Sequence, residues 1–452
     1  MTNSTRPQAG PPREYHFPKF EERSLSNGLR VIVAPVPKLP VITVLAVIDA
    51  TAIADPAGKE GVAEITAQAL RDGTKDIDGT NLTLEFEKLG TSLEVGADWD
   101  STVASLTVLR DKIDKAFTLF SSVIMSPAFR EEDIDRLRSE RLAERVQILD
   151  EPRGLAEESF ARFTYAGNSR YAEPMSGTTQ SVSAITRGDV VAFHSANYAP
   201  DATTLILAGD LSIEEGVSLA EKAFGGWTGS RAGRAVASDR PARLERASQI
   251  VSKPDAAQSE LRIGHVGVIR THPDYFPIVV MNAVLGGLFS SRINLNLREA
   301  HGYTYGASSY FDWRRQAGPF VISTAVQSEV TGAAISETLK EIDRMRDEAI
   351  SEEELSLATD YLEGVFPIRY ETTGAIASAL ANMVTFGLPK DYYDTYRSRI
   401  AGITTQDVLD AAKAHVKPEQ LQIVVVGSSS ILQSQLEALN IGALSVLETP
   451  VP

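Results

Sequence analysis

The sequence predicts an α+β protein built from two homologous units, each a mainly antiparallel sheet with helices packed on one face. Three observations predict it. The chain repeats itself once, without a gap, at an offset of 218 residues (Ile185 onto Ile403). Short apolar runs of strand length stand beside amphipathic runs of helix length in both copies. At 452 residues, with 43% hydrophobic and 23% charged residues, the chain is long enough for more than one sizeable core.

The repeat is explicit. ITRGDVVAFHSANYAPDATTLILAGD, from Ile185, aligns with ITTQDVLDAAKAHVKPEQLQIVVVGS, from Ile403. Ile185, Thr186, Asp189, Val190, Ala196, Pro200 and Gly209 meet Ile403, Thr404, Asp407, Val408, Ala414, Pro418 and Gly427. Each copy puts a Thr where a helix N-cap is wanted. An amphipathic helix follows, then a turn with Pro, then an apolar strand ending in Gly. The period is too long for a solenoid and means domain duplication.

The elements follow in order. Residues 1–20 read as an N-terminal extension. Leu29–Val36 and Val41–Ala50 are strand-like, Glu60–Arg71 and Thr80–Leu89 helix-like, and Gly90 ends the second helix. Thr91–Val95 and Thr102–Leu109 alternate as antiparallel strands. Asp111–Ile124 and Ser336–Ile350 correspond as helices. The runs starting at Ser126 and Ala349, SPAFREEDIDRLRSERL and AISEEELSLATDYLEGV, each supply an acidic helix start. Gly226–Gln249 is basic and rich in small residues, without periodicity. These signals put the first domain at 21–228, a linker at 229–248 and the second domain at 249–452.

Composition narrows the function. The net charge of −16 argues against nucleic acid, whose affinity rests on Lys/Arg contacts to phosphate, and is compatible with cationic ligands. The absence of cysteine excludes disulfides, thiolate nucleophiles and Cys-based zinc sites. No uninterrupted apolar run approaches the ~20 residues of a membrane span. The N-terminal MTNSTRPQAGPPREYHF has no apolar core, so no signal peptide is expected in it. The expected compartment is the cytoplasm, with the periplasm as the alternative.

The richest stretch is LGGLFSSRINLNLREAHGYTYGASSY, from Leu285 to Tyr310. Gly286-Gly287 reads as a turn opening a helix. Arg298 lies near the helix end, Gly302 stops it, and Tyr303–Tyr310 reads as a strand. That corner can aim the Arg298 guanidinium and the Tyr305 phenol into one cleft. The plainer readings are an Arg complementing a helix dipole and a half-buried strand aromatic. The six histidines, His16, His194, His265, His272, His301 and His415, show no i,i+3 or i,i+4 pair, so each reads as a surface or packing residue. His301 stands out only because it lies beside Arg298 and Tyr305. Neither G-x-S-x-G nor a phosphate-binding loop is present.

From LSNGLRVIVAP at Leu25 to VVVGS at Ser428, and above all in the segment from Ile185 and in GGLFSSRINLNLREAHGYTYG, the chain resembles the pitrilysin, insulinase and mitochondrial-processing-peptidase superfamily of zinc peptidases. The resemblance implies two homologous α+β domains forming half of a clamshell around a peptide chamber. The family's H-x-x-E-H supplies two zinc ligands and a general base on one helix. It sits in a segment like G-x-A-H-x-x-E-H-M-x-x-x-G-T. Here the counterpart is GVAEITAQALRDGT, from Gly61 to Thr74. Gly61, Ala63, Gly73 and Thr74 match. Glu64 stands at the first His, Ala67 at the general base and Gln68 at the second His. Glu144 stands at the third ligand, 76 residues beyond Gln68. No metal is therefore expected in this chain.

The resemblance also places a substrate-binding Arg and Tyr at Arg298 and Tyr305, with Gly286 and Gly287 beside them. It implies a non-catalytic subunit of a heterodimeric zinc peptidase. The partner would bear H-x-x-E-H and the zinc, and peptides or unfolded segments would be the substrate. One alternative is a structural or peptide-holding protein like the inactive core subunits of the respiratory bc1 complex. Another is an independent metal-free binding protein, as a homodimer.

Overall fold

The computed structural model describes residues 14–231 and 233–448. Residues 1–13 of the expected extension, and 449–452 at the end of the expected second domain, lie outside the described residues. Two six-stranded mixed sheets carry the fold, each with helices against it. The first is built from β1 (Glu21–Ser24), β2 (Arg30–Pro35), β3 (Val41–Ile48), β4 (Glu94–Ala97), β5 (Thr102–Leu109) and β6 (Thr203–Gly209). Its order is β1-β2-β6-β3-β5-β4. The second is built from β7 (Ala247–Ser252), β8 (Ser259–Val266), β9 (Ala307–Phe311), β10 (Pro319–Val326), β11 (Gln422–Gly427) and β12 (Ala443–Glu448), in the order β12-β7-β11-β8-β10-β9.

The duplication is visible strand by strand. β2, β6, β3, β5 and β4 take the places of β7, β11, β8, β10 and β9, with β2–β6 and β7–β11 parallel and the next three pairings antiparallel in both sheets. Only the outer strand differs: β1 precedes β2 and runs antiparallel to it, whereas β12 comes from the far end and runs parallel to β7. The repeated Thr caps do what their spacing implies. The Thr186 and Thr404 side chains accept from the amides of Asp189 and Asp407, whose carboxylates accept back from the cap amides.

The two units exchange one helix each. Helix Pro152–Thr164 lies in the first half of the chain but packs on the second sheet, where Leu155, Phe160 and Phe163 meet Val251, Val321, Val424 and Val426. Helix Thr373–Phe386, its counterpart in the repeat, packs on β3 and β6 of the first sheet. There Thr373 and Thr43 share a hydroxyl hydrogen bond of 2.9 Å. Each sheet is therefore covered on both faces. This explains why β3 and β6 read as continuous apolar runs: Ile42, Val44 and Ala46 point to the first unit's own core, Leu45 and Val47 toward the exchanged helix.

Three local expectations are corrected. The strand expected at Thr91–Val95 runs Glu94–Ala97. Gly90, at φ 71°, and the Thr91 amide, donating to the Phe86 carbonyl, extend the helix cap through Thr91. Gly286-Gly287 closes a π-helical turn, Ala283–Gly287, instead of opening a helix; the next helical segment starts at Arg292. The strand expected from Tyr303 starts at Ala307, so Tyr305 sits in a turn. Tyr275–Ala300 is long and apolar enough by composition alone to count as a candidate membrane span. It is broken at Leu288–Ser291, and Phe276, Ile278, Val280, Met281, Ile293 and Leu297 are buried in the second unit's core, as in a core helix.

Candidate functional site

The matched flanks of the degenerate motif hold a helix start in place. Asp55 accepts from the amides of Gly61 at 2.7 Å and Ala63 at 2.9 Å, and Arg170 pairs with the same carboxylate. Burial raises the Asp55 pKa, with Arg170 opposing it. Gly61 has φ 101°, and a Cβ there would lie 2.5 Å from the Ser176 carbonyl oxygen. Thr74 accepts from the amides of Asp76 and Ile77 and closes the turn beyond the helix. Gly61, Ala63 and Thr74, with Gly73 at φ 115°, serve geometry, which explains their presence where the chemistry is gone.

Within helix Val62–Ala69, Ala67 is fully buried and offers only a methyl group. Glu64 and Glu144 do come together, but around a side chain the sequence reading missed. Arg141, on helix Glu131–Asp150, donates through Nη2 to Glu64 Oε1 at 2.6 Å, and its Nη1 lies 2.7 Å from Glu144 Oε2. Arg141 is buried. Burial raises the Glu64 pKa above the ordinary carboxylate value, Arg141 opposes this, and the Glu144 charge reinforces it. A zinc ion held by these two carboxylates at ~2.0–2.2 Å would need the volume of the guanidinium. With a cation already there, no imidazole and no base, the residues do not fit zinc. The available signal was an Arg three residues before Glu144, one helical turn away.

Gln68 and Glu144 line a cleft of about 820 Å³ beside this triad. Eight carboxylates and three guanidiniums line it, so the cleft is acidic.

In the second unit, Arg298 lies in the last turn of a π-helical segment, Leu295–Ala300, and Gly302 follows at φ 65°. Its guanidinium lies 4.6 Å from the ring centre of Phe289, which is itself exposed. Tyr305 is 92% exposed. The turn that carries it is fixed: the Gly306 amide donates to Thr304 Oγ1, the Thr304 hydroxyl to the Gly306 carbonyl, and the Ala307 amide to Asn294 Oδ1. Among the described residues, no hydrogen bond, ion pair or ring contact joins Arg298 to Tyr305, or either to Glu64, Gln68 or Glu144. Gly286 presses against β9, where a Cβ would lie 2.5 Å from Ser309 Oγ. At Gly287 it would meet Asn282 at 3.0 Å. Phe289 was not anticipated, since a lone Phe after Gly-Gly-Leu carries no signal of exposure.

Comparison with known proteins agrees with this arrangement. Residues 30–178 match the family described as insulinase (peptidase family M16), and residues 184–362 match the peptidase M16 inactive domain. A protein of Helicobacter pylori named "Non-peptidase homolog YmxG" is 23% identical over 371 residues, covering 81% of this chain and 84% of its own. The probable mitochondrial-processing peptidase subunit beta of Schizosaccharomyces pombe is 26% identical, covering 60% of this chain and 59% of its own. The crystal structure of a peptidase M16 inactive domain from Pseudomonas fluorescens superposes with a TM-score of 0.85 at 26% identity, covering 90% of this chain and 98% of that one. A Helicobacter pylori protease shares the fold, with a TM-score of 0.86 at 19% identity over 91% of this chain and all of its own.

The chain belongs to peptidase family M16. Within that family, with Glu64, Ala67 and Gln68 in place of H-x-x-E-H, it is a non-catalytic member.

Proposed function

We propose that this chain is the substrate-binding subunit of a heterodimeric M16 peptidase, whose partner carries H-x-x-E-H, the zinc and the general base. The observation that carries the reading is Tyr305: a phenol 92% exposed on a hydrogen-bonded turn, with no hydrogen bond, ion pair or ring contact among the described residues. A fold gains nothing by holding such a turn in place, whereas a subunit presenting a hydroxyl to another chain needs it held. Tyr305 would donate to the scissile carbonyl oxygen as negative charge develops there. Arg298 would hold substrate carbonyls with its planar fork of donors. The acidic cleft beside Gln68 favours peptides with basic residues.

The test is reconstitution with an H-x-x-E-H homologue from the same source. Each chain alone should be inactive, and the mixture should sediment as a 1:1 species near twice 48.9 kDa and cleave peptides. Tyr305→Phe should lower kcat by roughly 10²–10³ with a smaller change in KM. Arg298→Ala should act more on KM, since it removes contacts already made to bound substrate. Full activity in both variants would favour the structural, peptide-holding reading, which the Arg141 lock on the first unit also supports.

A further inference from the structure

Two histidines that are unrelated in sequence converge on one carboxylate. Asp274 precedes helix Tyr275–Asn282, and His415 is the last residue of helix Thr405–His415, which packs against it. Asp274 and His415 are 141 residues apart in the chain, yet His415 Nε2 lies 2.7 Å from Asp274 Oδ2. His272 Nδ1 lies 3.9 Å from the same oxygen. The two imidazole rings meet edge to face with centres 4.7 Å apart. One ligand atom from each of the three residues lies within 4.8 Å of the other two.

We propose that His272, Asp274 and His415 form a site for a divalent transition metal of the zinc class, separate from the degenerate motif. Two imidazoles and one carboxylate are a borderline donor set, suited to Zn²⁺, Co²⁺ or Ni²⁺ and poor for Mg²⁺ or Ca²⁺. Zinc bonds of ~2.0–2.1 Å require ligand atoms roughly 3.3 Å apart in a tetrahedron. Against Asp274, the His415 contact of 2.7 Å has to widen and the His272 approach of 3.9 Å has to shorten, each by about 0.6 Å. His272 and Asp274 are partly exposed, while His415 is buried and anchors the site.

The Asp274 amide donates to His272 Nδ1 at 3.1 Å, which orients the ring beside the carboxylate. Metal binding exchanges that bond for a coordinate one, or turns the ring. A helix-anchoring ion pair needs only one imidazole for its carboxylate, whereas here a second faces the first across it. Three protein ligands leave the fourth position for water. The ion would cross-link helix Thr405–His415 to the start of the Tyr275–Ala300 segment that ends near Arg298. Binding only the folded chain, it would raise stability by mass action.

The experiment uses the full chain, stripped with a chelator and titrated with Zn²⁺ by calorimetry and with Co²⁺ by visible absorption. One Zn²⁺ per chain is expected, with a rise in the thermal midpoint and the absorption bands of tetrahedral cobalt. His272→Gln and Asp274→Asn, at partly exposed positions, should each weaken binding by at least about tenfold while circular dichroism shows the fold intact. Glu144→Gln should leave it unchanged. No stoichiometric binding, binding retained in both His272→Gln and Asp274→Asn, or binding lost in Glu144→Gln would each overturn the proposal. Zinc at this position leaves the peptidase reading untouched, because it lies outside the site assigned to catalysis.

Discussion

At 2.6 and 2.7 Å from the carboxylates of Glu64 and Glu144, the Arg141 guanidinium sits where two anionic ligands would hold a cation. Replacing Glu64, Ala67 and Gln68 by His, Glu and His restores the motif in sequence but leaves that charge in place. Two unit charges ~4 Å apart repel by about 4 kcal/mol at an effective dielectric of ~20, and a divalent ion doubles this. The triple variant should therefore not bind zinc at this helix, and adding Arg141→Leu should allow it. Zinc stoichiometry in a His272→Gln background decides; tight binding by the triple variant alone would sink the argument. A second residue carries a pH signal. His194 contacts the Ile124 carbonyl through Nε2 at 2.9 Å and stacks on Tyr198, and burial lowers its pKa from 6.5 to about 4, with that hydrogen bond opposing. A histidine pKa depressed in the folded state contributes stability that is full above 6.5 and is lost as pH falls toward 4, by at most ~1.4 kcal/mol per unit. Urea unfolding at pH 7 and 5 should show a smaller loss for His194→Gln than for the parent chain; equal losses would remove His194 from the account.

The exchanged helices make side-chain deletions act across units. Phe160, on helix Pro152–Thr164, is buried, and its ring edge lies 3.0 Å from where a Cβ on Gly264 of β8 would be. Phe160→Ala should cost about 3–5 kcal/mol, and Leu380→Ala on the reciprocal helix about 2–5 kcal/mol. Ile368→Ala, at an exposed position, should stay within about 0.5 kcal/mol. Urea midpoints would check all three, and a cost under ~1 kcal/mol for Phe160→Ala would mean the helix merely rests on the sheet. Strands β2, β3, β5, β6 and β11 and the Thr186 and Thr404 caps were legible in sequence because periodicity and capping are local. Which sheet a helix covers was not. The apolar face of Leu155, Phe160 and Phe163 looks the same whichever sheet it meets, and nothing local distinguishes the two. The turn carrying Tyr305 was hidden for a related reason: Asn294 and Thr324, which fix it, come from other elements. The His272–His415 approach was equally invisible, since residues far apart in the chain leave no spacing to read.

At the scale of the whole molecule the exchange changes how two units can unfold. Domains of roughly 200 residues joined by a linker ordinarily open separately. Here, unfolding the first unit withdraws Leu155, Phe160 and Phe163 from the second sheet, and unfolding the second withdraws Ile376 and Leu380 from the first. Uncovering an apolar sheet face costs ~25 cal/mol for every Å² exposed, so neither sheet stays stable without the other. The chain between the units is fastened too. Arg231 and Arg234 reach Asp49 in the first unit, and Arg315 of the second binds the same carboxylate at 2.7 Å while donating to the Thr385 carbonyl. The proposed pairing with a zinc-bearing subunit would require such a rigid half, because a wall that flexed at its middle would not hold Tyr305 in register. The expected outcome is one calorimetric transition for the full chain, with calorimetric and van't Hoff enthalpies equal, at pH 7 and without added metal. Phe160→Ala should lower that single midpoint without splitting it. Two resolved transitions in the parent chain would mean that each sheet tolerates the loss of its borrowed helix, and the units would then be independent domains sharing only a linker.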